Sequence, residues 1–123
     1  MRCVFFPATV VLLGLAGAAQ AHPKLISASP APNARVAVPA RVTLRFTEKL
    51  MPNFSGADLL MTGHGGKTHP PMKVAGTAAV GADGRTLVVT PKSPLGAGSY
   101  SLAWHVVSTD THRVAGNYAF AVK

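Results

Sequence analysis

Cysteine is almost absent from this sequence, which has a single residue of this type, Cys3, inside its first apolar segment. We expect that segment to be removed on export, so that the working protein has no disulfide bond and no thiolate metal ligand. A small exported domain of this kind depends on its hydrophobic core for stability. Any metal chemistry must then use His, Met, Asp, Glu or the chain terminus.

Acidic residues are also scarce. The chain has 4 Asp and Glu residues against 12 Lys and Arg, a formal net charge of +8 that falls to +7 without Arg2. The basic residues are spread singly along the chain, and an exported compartment holds no nucleic acid, so nucleic-acid binding is not expected. A basic surface with no specific partner remains one interpretation, and attraction to an anionic membrane or an acidic partner is another.

Long apolar runs are limited to one, from Val4 to Ala18, which follows Arg2 and precedes the small-x-small sequence Ala19-Gln20-Ala21. This arrangement predicts a secretory signal peptide over residues 1–21, cleaved after Ala21. The run is shorter than the roughly 20 residues that a membrane span needs, and no later stretch is long and apolar enough. We therefore expect one exported domain, residues 22–123, without a membrane span.

Helical periodicity is not evident after residue 21, whereas period-two alternation is frequent. Residues 41–46 alternate apolar and polar side chains, as do 99–107 and 117–123, and Asp83-Gly84 is a strong hairpin signal. About seven short strands separated by Pro and Gly turns predict an all-β, Ig-like fold, a small antiparallel Greek-key β-sandwich or barrel. Its predicted core comprises Val42, Leu44, Phe46, Leu102, Trp104, Phe120 and Val122.

Cleavage after Ala21 would give the protein a free α-amine on His22, and this amine can form a chelate ring with the imidazole around one metal ion. The next residue, Pro23, has no backbone N–H and cannot supply a deprotonated amide nitrogen. Further ligands must come from elsewhere in the fold. The competing interpretation is that His22 is simply the residue that follows the cut.

A second candidate is the sequence Asp110-Thr111-His112, between two predicted strands. Side chains at i and i+2 share a face of an extended chain and can converge on one ion at a turn. On its own the triplet is more typical of a solvated turn. Together with His22 it would supply two imidazoles, an amine and a carboxylate, a set that suits tetragonal Cu(II).

The segment from Met61 to Met72 contains methionine, glycine and histidine in a predicted loop over residues 63–71. Thioethers are soft ligands that favour Cu(I), and a glycine-rich loop lets separated side chains fold around one ion. Alternatively, Met61 is a core residue at a strand end, and His64 and His69 are solvent-exposed.

Several motifs keep both their order and their spacing and resemble the periplasmic copper-resistance proteins of the CopC/PcoC family. They span essentially the whole chain after residue 21 and comprise His22-Pro23-Lys24-Leu25, Phe54-Ser55-Gly56-Ala57, Leu60-Met61-Thr62, His69-x-Pro71-Met72 and Val107-Ser108-Thr109-Asp110-Thr111-His112. The resemblance implies a periplasmic β-sandwich copper carrier without catalytic activity, which exchanges copper with an inner-membrane transporter or another periplasmic copper protein.

The resemblance also implies a set of copper ligands. Those for Cu(II) would be the amine and imidazole of His22 together with Asp110 and His112, and Glu48 matches a family position nearby. Those for Cu(I), in members that bind it, would come from Met61, His69 and Met72. His64 and Lys67 stand where the methionine-rich members have methionines; His64 can still bind copper, whereas a protonated Lys67 repels it.

Two other function classes also fit part of the sequence. Copper oxygenases that cleave polysaccharides also begin with a free histidine, but this chain is short for a substrate platform and its aromatic residues are assigned to the core. The other class is a structural β-sandwich module without metal, which would take up no copper after correct cleavage.

Overall fold

The computed structural model describes residues 22–123, and the predicted signal peptide and cleavage site lie outside this range. Alternating side chains in this range form the two faces of short strands, with buried residues on one face and polar residues on the other. The strands are β1 Leu25–Ser29, β2 Arg35–Val36, β3 Val42–Phe46, β4 Gly56–His64, β5 Lys67–Lys73, β6 Gly76–Val80, β7 Thr86–Pro91, β8 Gly98–Val107 and β9 Arg113–Val122. One 3-10 turn, Pro52–Phe54, precedes β4.

Two sheets pack face to face. One has the strand order β1-β3-β7-β6 and the other the order β2-β9-β8-β4-β5. All pairings are antiparallel except that of β2 with β9, which is parallel. The predicted antiparallel β-sandwich is therefore confirmed. The described range also contains no helix that is long and apolar enough to cross a membrane.

The core lies between the two sheets and contains every residue predicted for it. Val42, Leu44, Phe46 and Leu102 are fully buried, and Trp104 packs edge to face on Phe46 with ring centroids 5.1 Å apart. Gly116 lies opposite Trp104 on β9, where an added Cβ would stand 2.4 Å from the indole. A glycine is needed there because the indole occupies the space of a side chain.

The strand count differs from the sequence prediction, since residues 22–123 form nine strands rather than about seven. The predicted loop over residues 63–71 is wrong: β4 and β5 form a hairpin there, with a tight turn at Gly65 and Gly66, whose φ values are 61° and 76°. Both values lie in the left-handed region that glycine adopts at little cost. Pro70 and Pro71 lack N–H groups and interrupt the hydrogen bonds between β4 and β5. This explains why the sequence of this segment is not typical of a strand.

Strand β8 runs the length of the sandwich and defines its two ends. The β4–β5 turn lies beside the first residues of β8, since Gly63 pairs with Ser99. The loop from Ser108 to His112 follows the last residue of β8, Val107. At about 3.3 Å per residue, the two ends are roughly 25 Å apart.

Candidate metal centre

The N-terminal segment is fixed to the sandwich immediately after His22. The Pro23 side chain is less than 2% exposed. The Lys24 N–H donates to Thr47 Oγ1 at 2.9 Å, and the Thr47 N–H donates back to the Lys24 carbonyl at 2.9 Å. Thr47 directly follows the buried Phe46 at the end of β3. His22 itself is exposed, but the residues that directly follow it are anchored at this end of the sandwich.

The loop that joins β8 to β9 carries Asp110 and His112. Its main chain is closed by the Ser108 N–H, which donates to the His112 carbonyl at 2.9 Å, and by the Thr111 N–H, which donates to the Ser108 carbonyl at 2.8 Å. Thr111 has a φ of 74°, in the left-handed region that is strained for a β-branched residue. This tight loop holds Asp110 and His112 side by side.

The side chains of His22 and His112 meet at this end. Their ring centroids are 4.7 Å apart and their planes are inclined by 66°. Nδ1 of His112 is buried and lies 3.2 Å from Oδ2 of Asp110. The imidazole and the carboxylate are therefore in direct contact at this end of the sandwich.

Ser108 orients the Asp110 carboxylate from beneath. Its side chain is 1% exposed, and its hydroxyl donates a hydrogen bond to Oδ1 of Asp110. This hydrogen bond is the largest cause of a lowered pKa for Asp110, and a smaller contribution comes from His112. The carboxylate is therefore ionised at neutral pH, with one oxygen held by Ser108 and the other directed toward His112.

Glu48 lies between the two segments that carry the candidate ligands. The main chain of Thr47 pairs with Lys24, and the Lys49 carbonyl accepts from the Thr109 N–H at 3.0 Å. Glu48 is half-buried between these two attachments. It is thus close in the fold to both the N-terminal segment and the 108–112 loop.

This end of the molecule offers imidazole nitrogens and carboxylate oxygens, the donor types that bind Cu(II), Ni(II) and Zn(II). Within residues 22–123, no three His, Cys, Asp or Glu side chains are gathered closely enough to form a metal site by themselves. The α-amine of His22, which is not a side chain, is the further donor that the sequence analysis predicts.

The second predicted group lies at the other end, on the β4–β5 hairpin. Met61 and Met72 are directly opposite each other across the two strands. Met61 packs against the core, whereas Met72 is 62% exposed. Two thioethers on neighbouring strands therefore share one face of the sheet.

The histidines of this hairpin are arranged differently. His64 pairs across the turn with Lys67, so their side chains leave the hairpin on the same face. The strand register shifts between Met61 and Gly63, so simple alternation along β4 does not relate the Met61 side chain to that of His64. Nδ1 of His69 lies 2.8 Å from the Pro70 carbonyl oxygen and is held locally. The hairpin thus pairs the two methionines across its strands, with His64 at its turn and His69 on β5.

Two residues that shape the first site received no role from sequence reasoning, namely Ser108 and Thr111. Ser108 stands two residues before an aspartate, a spacing at which hydroxyl and carboxylate groups often form local turns. That signal is weak, because it is common in exposed loops. The positive φ of Thr111 has no sequence signal, since β-branched residues rarely adopt it.

Comparison with known proteins identifies the family. Residues 25–123 match the CopC domain, and the chain belongs to this family. A protein named copper resistance protein C from Xanthomonas campestris pv. juglandis is 52% identical over 123 residues, which cover 99% of this chain and 97% of the relative. The protein of the same name from Pseudomonas syringae pv. tomato is 49% identical over 85% of this chain and 83% of its own length.

Solved structures agree with this assignment. The crystal structure of PcoC, described as a methionine-rich copper resistance protein from Escherichia coli, is 48% identical with a TM-score of 0.77, and the match covers 84% of this chain and 100% of PcoC. CopC from Methylosinus trichosporium OB3b is 35% identical with a TM-score of 0.69, over 83% of this chain and 94% of that protein. These matches cover most of the chain, and they establish both its β-sandwich fold and its membership of a family of copper-resistance proteins.

Proposed function

We propose that this protein is a periplasmic copper carrier that binds one Cu(II) ion at the end of the sandwich where His22 and His112 meet. The contact between these two rings, 4.7 Å apart, is the observation that carries the proposal. The names of the relatives, copper resistance protein C, support copper as the metal among those that prefer nitrogen and oxygen donors.

The proposed ligands are the α-amine and imidazole of His22, the Asp110 carboxylate and the His112 imidazole. Removal of residues 1–21 creates the amine, whose unperturbed pKa of about 7.7–8.0 makes deprotonation inexpensive near neutral pH. Asp110 is already ionised because of its Ser108 hydrogen bond. Glu48, half-buried beside both segments, is the residue best situated to approach the ion from outside this set.

Anchoring of the N-terminal segment supports this role. A flexible N-terminal peptide would wrap its own amide nitrogens around Cu(II), but Pro23 has no amide proton to lose and is buried. The histidine must therefore combine with ligands from the 108–112 loop. Binding would join two segments of the fold around one ion.

A second, weaker site for Cu(I) is proposed on the β4–β5 hairpin. The paired Met61 and Met72 would supply two soft ligands, and His64 and His69 the remaining ones after rearrangement of the hairpin. The relative PcoC is described as methionine rich, and methionine provides the soft donors that such a site needs. Here the Lys67 cation beside His64 opposes an incoming positive ion.

The protein would act by holding and passing on copper, without catalysis. Its partners would be copper ions and the proteins that deliver or receive them, such as an inner-membrane copper transporter or another periplasmic copper protein. A site open to solvent through an exposed His22 suits transfer between proteins.

The test is a Cu(II) titration of protein that begins at His22, monitored by electron paramagnetic resonance. We expect one equivalent of Cu(II) in a tetragonal nitrogen and oxygen site. The matched control is the same protein with one methionine added before His22, which converts the amine to an amide and should weaken binding severely. Equal affinity of the two proteins would refute the chelate, and no Cu(II) uptake by either would refute the proposed function.

A further inference from the structure

Both ends of the sandwich carry exposed cations, but only the end with His22 also carries acidic side chains, those of Glu48, Asp83 and Asp110. Five exposed cations lie at the end opposite His22, and we refer to them together as the basic end: Arg35, Arg41, Lys67, Lys92 and Lys123. They come singly from distant parts of the sequence, and only the fold brings them to one end.

The strand registers fix this common location. Arg35 pairs with Ala121, and the Lys123 N–H donates to the Val36 carbonyl at 2.9 Å, so both cations lie where β2 meets the end of β9. A cleft of about 410 Å³ is lined by Arg35, His64 and Lys123, which joins them to the hairpin turn that carries Lys67.

The other sheet contributes the remaining two cations at the same end. Val42 pairs with Val89, so Arg41, just before β3, and Lys92, just after β7, extend in the same direction. The basic end therefore spans both sheets as a broad surface rather than a single pocket.

The acidic side chains of residues 22–123 all lie elsewhere. Asp58 forms an ion pair with Lys73 at 3.2 Å. Asp83 lies in the β6–β7 turn, next to Gly84, whose carbonyl accepts from the Leu50 N–H at 2.8 Å, and this turn belongs to the same end as Glu48 and Asp110. Within this range, no acidic side chain neutralises the basic end.

An exposed apolar segment lies within this surface. Residues 37–40, Ala-Val-Pro-Ala, connect β2 to β3 between Arg35 and Arg41, and the Val38 side chain is 51% exposed. An apolar loop between two arginines suits the boundary of a lipid bilayer, where the apolar side chain enters among the headgroups and the guanidinium groups pair with phosphates. An acidic protein surface would match the charges but would leave this apolar loop without a matching environment.

We propose that the basic end binds the surface of a membrane rich in anionic phospholipid. The end with His22 and His112, roughly 25 Å away along β8, then faces the aqueous compartment and remains open for copper exchange. The proposal rests on the proposed export of the protein only for the location of that membrane. Lipid binding itself is independent of the copper site.

The strength of such binding follows from the charge. Each Lys or Arg near an anionic bilayer strengthens binding about fivefold, so three of them contribute about 100-fold, and the effect is screened beyond about 10 Å at 0.1 M salt. The contribution of Val38 does not depend on salt, since it arises from apolar burial.

The experiment measures cosedimentation of protein purified after export with vesicles of phosphatidylglycerol and phosphatidylcholine in equal parts, and with vesicles of phosphatidylcholine alone. The test variant combines Arg35→Glu, Lys67→Glu and Lys123→Glu. The matched control combines Lys24→Glu, Arg45→Glu and Lys49→Glu, which changes the net charge equally at the other end. All six side chains are exposed, and thermal unfolding verifies that both variants fold.

We expect the parent to bind only the vesicles with phosphatidylglycerol, the test variant to lose at least about 100-fold in affinity, and the control to lose far less. Val38→Ser should weaken the binding that persists at high salt. An equal loss in both triple variants would show that net charge alone matters and would overturn the proposal. So would a parent that binds neither vesicle, a result that would favour an acidic protein partner. Cu(II) titration of the same variants tests the copper site separately.

Discussion

Replacing Pro23 by alanine tests whether the fold itself presents His22. The Pro23 side chain is less than 2% exposed, so the substitution removes two buried methylene groups, worth about 1.6 kcal/mol at about 0.8 kcal/mol each. It also gives the unfolded chain more freedom, which costs a further amount of about 0.4–1 kcal/mol. The free energy of unfolding should therefore fall by about 2–3 kcal/mol, and Tm by about 10–20 °C for a domain of this size.

The assay is thermal and denaturant unfolding of copper-free protein beginning at His22, followed by circular dichroism. Pro32→Ala is the matched control, because Pro32 is an exposed turn residue and should lose only the part of about 0.4–1 kcal/mol that arises in the unfolded chain. If Pro23→Ala lost no more stability than Pro32→Ala, the argument that burial of this ring anchors the N-terminus would be refuted.

The same substitution has a consequence for copper. Alanine at position 23 restores a backbone N–H next to His22, and Cu(II) can displace that proton and bind the amide nitrogen. We expect the electron paramagnetic resonance spectrum of the variant to show one more nitrogen ligand and a weaker dependence on Asp110 and His112. An unchanged spectrum would mean that the fold, rather than the proline, keeps the amide away from the ion.

His112→Ala should remove one imidazole nitrogen from the Cu(II) spectrum, and Asp110→Asn should weaken binding less, because the amide keeps an oxygen donor but loses the charge; parent-like spectra and affinities in both variants would contradict these ligand assignments. Cu(I) binding on the hairpin should weaken in His64→Ala, which removes an imidazole ligand, and tighten in Lys67→Met, which removes a cation and adds a thioether. Competition with a chromogenic chelator measures both, and tight binding that His64→Ala leaves unchanged would argue against a histidine ligand. Tyr118→Phe should raise the free energy of unfolding by about 1 kcal/mol, because within the described residues the Tyr118 hydroxyl is buried without a hydrogen-bond partner; a lower stability in denaturant unfolding would count against this.

The sequence by itself predicted the elements in which local pattern and burial agree. Alternation along residues 41–46 and 99–107 predicts strands with Val42, Leu44 and Trp104 facing inward, since a strand exposes alternate residues to opposite sides. The Asp83-Gly84 pair predicts its turn because Gly84 must adopt a φ of 72°. The sequence also indicated the family, because its motifs keep their order along the whole chain.

Only the tertiary structure decided which distant residues meet. Strand β5 was missed because Pro70 and Pro71 break the local pattern, and its pairing with β4 depends on a partner strand rather than on its own residues. The 4.7 Å contact of His22 with His112 depends on how β3 and the 108–112 loop end at the same edge of the sandwich. The hydrophobic periodicity and the composition of a segment indicate which of its faces is apolar. Contacts between distant segments arise instead from packing and long-range hydrogen bonds. For the same reason the basic end, built from single cations along the chain, is visible only in the folded protein.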